Sequence, residues 1–224
     1  NVGVTTETTG GTSAARRRMP WASSMAASVP AGPHPAYDLA MCGRFVTSSP
    51  ASQVAAYFDA EVTAERLLER EPNFNVAPTT EVAAVVERDG RRGLALRRWG
   101  LVPSWAKDVS VGSKMINARV ETAATKPSFR SAFTRRRCII PVDGFYEWKA
   151  AAEDAPLSKA SKPVKTPMFI HRVDGEPVAV AGLWATWRDK ELGPEAPWLH
   201  SCTLITTSAN GTMAPVHDRM PVIL

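Results

Sequence analysis

Cysteine is scarce in this chain, where only Cys42, Cys138 and Cys202 occur among 224 residues. Their odd number and wide separation exclude a disulfide framework and are typical of a reducing compartment. Histidine is also scarce, and none of the four has metal-ligand spacing to the cysteines, so no metal site is predicted. No apolar run reaches the roughly 20 residues that span a membrane. We therefore expect a cytoplasmic protein without a membrane anchor, metal or cofactor.

Residues 1–40 contain neither isoleucine nor phenylalanine, and their only acids are Glu7 and Asp38. Alanine, threonine, serine, glycine and proline dominate, a composition that does not bury enough apolar surface to order itself. Because the sequence begins with Asn1, we expect this segment to be a disordered extension or an upstream stretch of an over-extended gene model. At the other end, the sequence stops at Leu224 within a predicted strand, and we expect a truncation there of a domain covering 41–224.

Turn signals and alternating apolar residues predict a mainly antiparallel α+β domain with a curved or barrel-like sheet. Asp89-Gly90 separates strand candidates 82–87 and 94–99 and predicts a hairpin. Asp174-Gly175 separates 168–172 and 178–184 in the same way. The remaining strand candidates are 137–142, 145–148 and 199–207. Short helices are predicted at 51–58, 121–125 and 128–133, the first with Ser49 as its N-cap.

Cys42 directly follows a methionine in Met41-Cys42-Gly43-Arg44-Phe45. If translation starts at Met41 and that methionine is removed, Cys42 carries a free α-amine beside its thiol. An α-amine titrates near ~7.7–8.0 and a lysine near ~10.4, so its free-base fraction near neutrality is larger by roughly two orders of magnitude. Such an aminothiol condenses with an aldehyde to an imine and then closes a thiazolidine ring. The alternative is that Cys42 is an internal, buried residue.

Two tryptophans, Trp99 and Trp105, lie on a loop that contains glycine and proline and is flanked by arginines. Indole rings stack on nucleic-acid bases at ~1–3 kcal/mol per base. Arg98 beside them would bind phosphate. The pattern favours a nucleic-acid surface, with the alternative that one or both indoles are core residues.

Asn117-Ala118-Arg119 precedes a predicted helix. Arg119 is suited to hold a phosphate through bidentate hydrogen bonds. Asn117 would orient a polar group in a site, although an asparagine at this position is more commonly a helix cap.

Glu147 and His217 are candidate proton carriers. Glu147 lies between Tyr146 and Trp148, and aromatic surroundings raise the pKa of a carboxyl towards neutrality. His217 is followed by Asp218, and histidine titrates near neutral pH. The alternatives are a solvent-facing charge for Glu147 and a structural role for His217.

These signals combine into six motifs that follow one another along the chain: Met41-Cys42-Gly43-Arg44-Phe45, Asn73-Phe74-Asn75-Val76-Ala77-Pro78-Thr79, Arg98-Trp99-Gly100-Leu101-Val102-Pro103, Asn117-Ala118-Arg119-Val120-Glu121, Pro141-Val142-Asp143-Gly144-Phe145-Tyr146-Glu147-Trp148 and His217-Asp218-Arg219-Met220-Pro221. Together they closely resemble the SOS response-associated peptidase (SRAP) family of abasic-site processing proteins. The resemblance spans Met41 to Leu224.

The resemblance implies a protein that crosslinks covalently to abasic sites through a thiazolidine at Cys42. Asn117 would position the reacting groups, and Glu147 would move protons during imine formation and ring closure. His217 would assist the opening of the deoxyribose to its aldehyde. The family's peptidase label, a hydrolase class, refers to removal of Met41, whereas the imine chemistry is of the lyase type.

The resemblance also implies the partner, single-stranded DNA that contains abasic sites. Arg44 and Arg119 would hold the phosphates that flank the lesion, and the loop from Trp99 to Trp105, with Arg98, would support the strand. The protein is expected to act as a monomer without a cofactor, in the cytoplasm and at the nucleoid when it is bound to DNA.

Two other functions remain open at this point. Some amidohydrolases also begin with Cys-Gly after methionine, and there the amine is the base for the thiol and the target is an amide. A non-catalytic module for single-stranded DNA, in which Cys42 is structural, is the second alternative. Residues before Met41 place the α-amine of Cys42 in a peptide bond, so aldehyde chemistry requires a corrected start site or cleavage.

Overall fold

The computed structural model describes residues 2–5, 43–151, 156–158 and 163–224, with the backbone alone for 2–5. The strands are β1 (Val2–Thr5), β2 (Arg44–Thr47), β3 (Glu61–Val62), β4 (Asn73–Val76), β5 (Glu81–Arg88), β6 (Arg91–Trp99), β7 (Asn117–Arg119), β8 (Arg137–Val142), β9 (Gly144–Lys149), β10 (Thr166–Arg172), β11 (Val178–Trp187), β12 (Leu199–Ser208) and β13 (Arg219–Pro221). The helices are α1 (Ala51–Tyr57), α2 (Val120–Ala123) and α3 (Arg130–Arg135), with 3-10 turns at Glu65–Leu67 and Val109–Lys114. Within these ranges no helix has the length and apolar character to cross a bilayer.

Five strands close into a barrel in the order β6, β5, β8, β11 and β12. Neighbouring strands in this order are antiparallel, and a short parallel pairing of β12 with β6 closes the ring at Ser201–Arg98 and Cys202–Trp99. Strand β7 adds to β12 in parallel, and β13 adds to it antiparallel. The predicted α+β fold with a barrel-like, mainly antiparallel sheet is confirmed.

A second antiparallel sheet, in the order β1, β10, β9, β2 and β4, packs beside the barrel. Phe45, Phe145 and Ile170 from this sheet share one hydrophobic cluster with barrel residues such as Ile140 and Leu204. At its edge, β1 pairs with β10, so four residues of the segment that we expected to be disordered form a strand. Residues 6–42 lie outside the described part of the chain.

Of the two hairpins predicted from aspartate–glycine turns, one is correct and one is wrong. Asp89 and Gly90 both adopt positive φ, 53° and 74°, and join β5 to β6 in the predicted hairpin. The second predicted hairpin, at Asp174-Gly175, is wrong, because β10 pairs with β9 whereas β11 pairs with β8 and β12. This turn carries the chain from one sheet to the other. A local turn signature reverses the chain but does not choose the sheet that the next strand joins.

Helix α1 begins at Ala51 as predicted and ends one residue earlier, at Tyr57, but its cap position is Pro50 rather than Ser49, without a side-chain cap. The Ser49 hydroxyl donates instead to the Asp143 carboxylate, which also accepts the backbone N–H groups of Ser48 and Ser49. Asp143 lies between β8 and β9, so this carboxylate ties the end of β2 to the start of β9.

Cys138 and Cys202 are buried, free thiols, as predicted. Burial raises the pKa of Cys138 to about 12 and the pKa of Cys202 well above its ordinary value. Because the thiolate is the nucleophile, neither residue is suited to nucleophilic chemistry.

Candidate functional site

Strand β2 brings the start of the domain against β9. Cys42 lies outside the described residues, but Gly43, its neighbour, is buried. The antiparallel register pairs Arg44 with Tyr146 and Phe45 with Phe145. Gly43 and Glu147 are the next residues along these two chain segments, so the start of the domain lies beside the strand that carries the predicted proton carrier.

Glu147 is almost completely buried, with 2% of its surface exposed. It shares a face of β9 with Phe145, which packs in the main hydrophobic cluster, and it lies opposite Met168 of β10. A solvent-facing Glu147 is therefore the wrong alternative. Burying a carboxyl group is unfavourable without compensating contacts, and such groups are concentrated at functional sites.

Asn117 and Arg119 lie on β7, which pairs in parallel with β12 at Leu204 and Thr206. Asn117 is half-buried and Arg119 is exposed. Because Asn117 is a strand residue and Arg119 occupies the cap position of α2, the helix-cap alternative for Asn117 is wrong. The strand fixes the backbone of Asn117 against the barrel.

The segment from His217 to Arg219 lies beside the same end of β12, where Arg219 pairs with Ser208. The His217 ring nitrogen Nδ1 is 3.1 Å from the backbone N–H of Arg219 and 2.9 Å from Oδ1 of Asp218. The Nδ1 atom accepts from Arg219 when it has a lone pair and donates to Asp218 when it carries a hydrogen. The two contacts are therefore alternatives for the same ring nitrogen.

The Arg219 guanidinium makes two hydrogen bonds to the Glu121 carboxylate, one of them 3.0 Å long, and donates to the Thr206 carbonyl oxygen at 3.0 Å. The hydrogen bonds from Arg219 lower the pKa of Glu121 to about 2. Both residues belong to the sequence motifs, but no local pattern indicates that they pair. We assign them to the site as residues that the sequence analysis missed.

Arg44 and Arg98 differ in their surroundings. The Arg44 guanidinium donates to the Gly43 carbonyl oxygen at 3.1 Å, and burial lowers its pKa. Its Nε has no hydrogen-bond partner within the described ranges, which leaves a donor beside Gly43. Arg98 donates to the Thr79 carbonyl oxygen and so ties β6 to the turn before β5.

Trp99 is a core residue rather than a surface platform. Its indole is fully buried, lies 4.6 Å from the Phe45 ring and donates to the Ile116 carbonyl oxygen at 3.0 Å. A buried indole has no face for a base, so the expectation of direct stacking by Trp99 is wrong. The ring instead connects β2 to the residue that precedes Asn117.

Trp105 is 57% exposed. Ala106, the next residue, accepts the indole N–H of Trp187 at 2.7 Å, and Trp187 pairs with Leu199 at the start of β12. Asn117 and Arg119 lie beside the other end of β12. Stacking by Trp105 stays a prediction, for a strand that extends beyond the catalytic candidates.

Residues next to or near each of the catalytic candidates belong to one hydrophobic cluster. These residues are Phe45, Trp99, Ile116, Phe145, Val216 and Met220. The polar residues thus surround a common apolar base formed by both sheets. Across the ranges that the structure describes, no group of three or more His, Cys, Asp or Glu side chains is placed to hold a metal ion.

The family model described as SOS response associated peptidase (SRAP) matches residues 41–224. The chain belongs to the SRAP family. Among relatives of this SRAP chain, the abasic site processing protein YoqW of Bacillus subtilis is 41% identical over 82% of the chain and 76% of the relative. The abasic site processing protein YedK of Escherichia coli is 33% identical over 82% of the chain and 75% of the relative.

Solved structures agree with the SRAP assignment. A crystal structure of a protein from Bacteroides thetaiotaomicron superposes with a TM-score of 0.70 at 25% identity, covering 82% of this chain and 77% of that one. A phage-related protein from Bordetella bronchiseptica, 32% identical, gives a TM-score of 0.57 over 82% and 77% of the two chains. The barrel and its companion sheet therefore recur in other proteins.

Proposed function

We propose that this SRAP protein processes abasic sites in single-stranded DNA by forming a covalent crosslink at Cys42. Its relatives YoqW and YedK carry the name abasic site processing protein. The observation that carries the proposal is the pairing of β2 with β9, in which Arg44, two residues after Cys42, lies opposite Tyr146, the neighbour of the buried Glu147. A single aminothiol beside a buried proton carrier is suited to trap the aldehyde of a ring-opened abasic sugar.

The reaction proceeds in two bond-forming steps. The α-amine of Cys42 attacks C1′ of the aldehyde and a water molecule leaves, which gives an imine. The thiol then adds across the C=N bond, its sulfur to the carbon and its proton to the nitrogen, and closes the thiazolidine. Glu147 receives and returns the protons of these steps, Asn117 orients the reacting groups, and His217 takes a proton while the sugar ring opens. No electrons are transferred, and the net change is the loss of one water.

Before this chemistry, hydrolysis of the bond between Met41 and Cys42 frees the α-amine. This cleavage is the hydrolase activity that we propose under the family's peptidase name. A chain that keeps the residues before Cys42 has an amide nitrogen there, which does not form an imine.

Positive side chains near the site suit a DNA strand. The half-buried Arg44 lies on β2, next to the strand with Glu147, and the exposed Arg119 lies on β7 with Asn117. Each arginine would contact a backbone phosphate next to the lesion. The whole chain carries a net charge of +5. We propose a monomer that acts without a cofactor in the cytoplasm and at the nucleoid.

The test uses a labelled abasic oligonucleotide and three proteins: one that begins at Cys42, the chain of residues 1–224, and Glu147→Gln in the protein that begins at Cys42. We expect a heat-stable adduct only where Cys42 is N-terminal, with a mass equal to protein plus DNA minus one water. Glu147→Gln slows adduct formation by about 10²–10⁴-fold, the usual contribution of a general acid or base. The control, Glu87→Gln, changes an exposed glutamate on β5.

Mass spectrometry identifies the chains whose mature N-terminus precedes Cys42. If such a chain gives the same adduct yield as the protein that begins at Cys42, the crosslink at Cys42 is refuted. Release of ammonia from glutamine without any adduct would support an amidohydrolase instead. Duplex and single-stranded substrates of one sequence, compared in the same assay, test the strand preference.

A further inference from the structure

A second positively charged cluster lies near the end of the barrel away from Arg119 and Arg219. Along β12, Thr206 and Ser208 pair with those two arginines, whereas His200 lies near the other end, opposite Thr186 of β11. Thr206 lies six positions after His200, which corresponds to roughly 20 Å of extended strand. His200 therefore lies well away from Arg119 and Arg219, whereas Trp184, opposite Cys202, lies between them along β12.

The centre of this cluster is Trp184. The guanidinium carbons of Arg97 and Arg136 each lie 5.2 Å from the centroid of its indole ring. Arg136 donates to the Thr186 hydroxyl at 3.3 Å, and Arg97 donates to the Leu96 carbonyl oxygen at 2.7 Å. Arg97, Arg136 and Trp184 are half-buried. Cation–π contacts thus hold two guanidiniums around one ring, one from β6 and one from the residue between α3 and β8.

The positive charge of the cluster is not balanced within the described residues. No carboxylate in those ranges forms an ion pair with Arg97 or Arg136. Burial, followed by the charges of these two arginines, lowers the pKa of His200. Cys138 and Cys202 lie close enough to Arg97 to interact with it electrostatically. Burial raises the pKa of each thiol, so both stay protonated and supply no negative charge. A half-buried cluster of like charges is unfavourable until an anion occupies it.

The donors that remain match a phosphate group. Each guanidinium has five N–H groups in a planar fork, and one hydrogen bond from each is accounted for above. The Arg97 Nε atom is buried and has no hydrogen-bond partner in the described part of the chain. Phosphate oxygens accept two parallel hydrogen bonds from such a fork, and one phosphate has enough oxygens to bridge two arginines.

We propose that Arg97, Arg136 and His200 form a second phosphate-binding site, held in place by Trp184. Its phosphate is either a backbone phosphate of a nucleic-acid strand or a free phosphate such as inorganic phosphate. Trp105, which is exposed at the same end of the barrel, is consistent with a strand that passes there. This site does not depend on Cys42 or on the aldehyde chemistry.

The test follows the indole N–H resonance of Trp184 in ¹⁵N–¹H spectra of the chain of residues 1–224, assigned with Trp184→Phe. Inorganic phosphate and an undamaged single-stranded oligonucleotide are added in separate titrations, with sodium chloride at equal ionic strength as the control. We expect a saturable shift of this resonance with phosphate and none with chloride. Arg136→Gln abolishes the shift while the other indole resonances stay in place. The matched variant Arg91→Gln, which removes one charge from the far end of β6, does not.

The two sources of phosphate give different results. If the strand is the source, the oligonucleotide shifts the same resonance, and Arg136→Gln reduces the salt slope of its binding by about 0.7, the value of one phosphate contact on a single strand. If free phosphate is the source, inorganic phosphate shifts the resonance and the oligonucleotide does not. Absence of a saturable shift with either ligand in the unmodified chain overturns the proposal, and so does an equal shift in Arg136→Gln. Because crosslinking is measured separately, loss of the adduct with an intact Trp184 response refutes the proposed function alone.

Discussion

Glu121 and Arg219 form an ion pair of two hydrogen bonds, although 98 residues of chain separate them. Arg219 also donates to the Thr206 carbonyl oxygen, so its guanidinium connects α2 to β12. The segment with His217 and the segment with Asn117 are thereby fixed to each other. The pair is a positioning contact between two parts of the proposed site.

Glu121→Gln is expected to lower the rate of adduct formation several-fold, because one oxygen of the carboxylate is replaced by an amide that does not accept from Arg219. Glu121→Asp, which keeps the charge, should recover part of the rate. The measurement is the rate of adduct formation as a function of DNA concentration in the protein that begins at Cys42. The exposed Glu65→Gln is the matched control. An unchanged rate in Glu121→Gln would show that the pair has no role in the reaction.

The same ion pair predicts a pH dependence of stability. Arg219 lowers the pKa of Glu121 from 4.5 to about 2, so the folded state binds this proton more weakly than the unfolded state does. The contribution of the pair is complete above pH 4.5 and is lost as the pH falls towards 2. We expect the difference in urea midpoint between the unmodified chain and Glu121→Gln to shrink over this interval. A difference that is constant from pH 6 to pH 2 contradicts the assignment.

Cys42→Ser in the protein that begins at residue 42 keeps the amine but closes the ring poorly. We expect the stable adduct to be replaced by an imine and by strand cleavage through β-elimination, which a denaturing gel separates. Cys138→Ala removes a buried thiol and should leave the adduct per folded molecule unchanged. A heat-stable adduct of normal yield from Cys42→Ser would argue against the thiazolidine.

The two tryptophans of the loop should respond differently to alanine. Trp99→Ala removes a buried indole, and about 3–5 kcal/mol of stability should be lost in urea unfolding. Trp105→Ala should leave stability nearly unchanged and weaken binding of a long single-stranded oligonucleotide by ~1–3 kcal/mol. Trp198→Ala is the comparison, since Trp198 is also 57% exposed but Arg188 lies 4.8 Å above its ring. Equal losses of affinity in the two surface variants would exclude a specific role for Trp105.

Local signals predicted the strands well, because alternating apolar residues and an Asp-Gly turn act over a few residues. Strand β8 was predicted with its observed bounds, and the hairpin at Asp89-Gly90 was correct. The parallel closure of β6 on β12 was not predicted, because no local pattern specifies which distant strands become neighbours. The same limitation explains the wrong hairpin at Asp174-Gly175.

The sequence motifs predicted which residues belong to the candidate site, but not how those residues are arranged. Motifs identified Asn117, Glu147 and His217, but the pattern around Trp99 and Trp105 did not reveal which indole is buried. Burial depends on the other sheet, which supplies Phe45 as the neighbour of Trp99. The contact between Glu121 and Arg219 likewise exists only after the chain has folded.

The closure of the barrel also bears on events during synthesis. Strand β12 closes the barrel against β6 and is the partner of β7 and β13, so the closure and these two short strands are not in place until residues near Thr206 have left the ribosome. A nascent chain that has already lost Met41 would then carry its aminothiol without the surrounding protein. During that interval, small aldehydes would be able to modify the chain before any DNA reaches it.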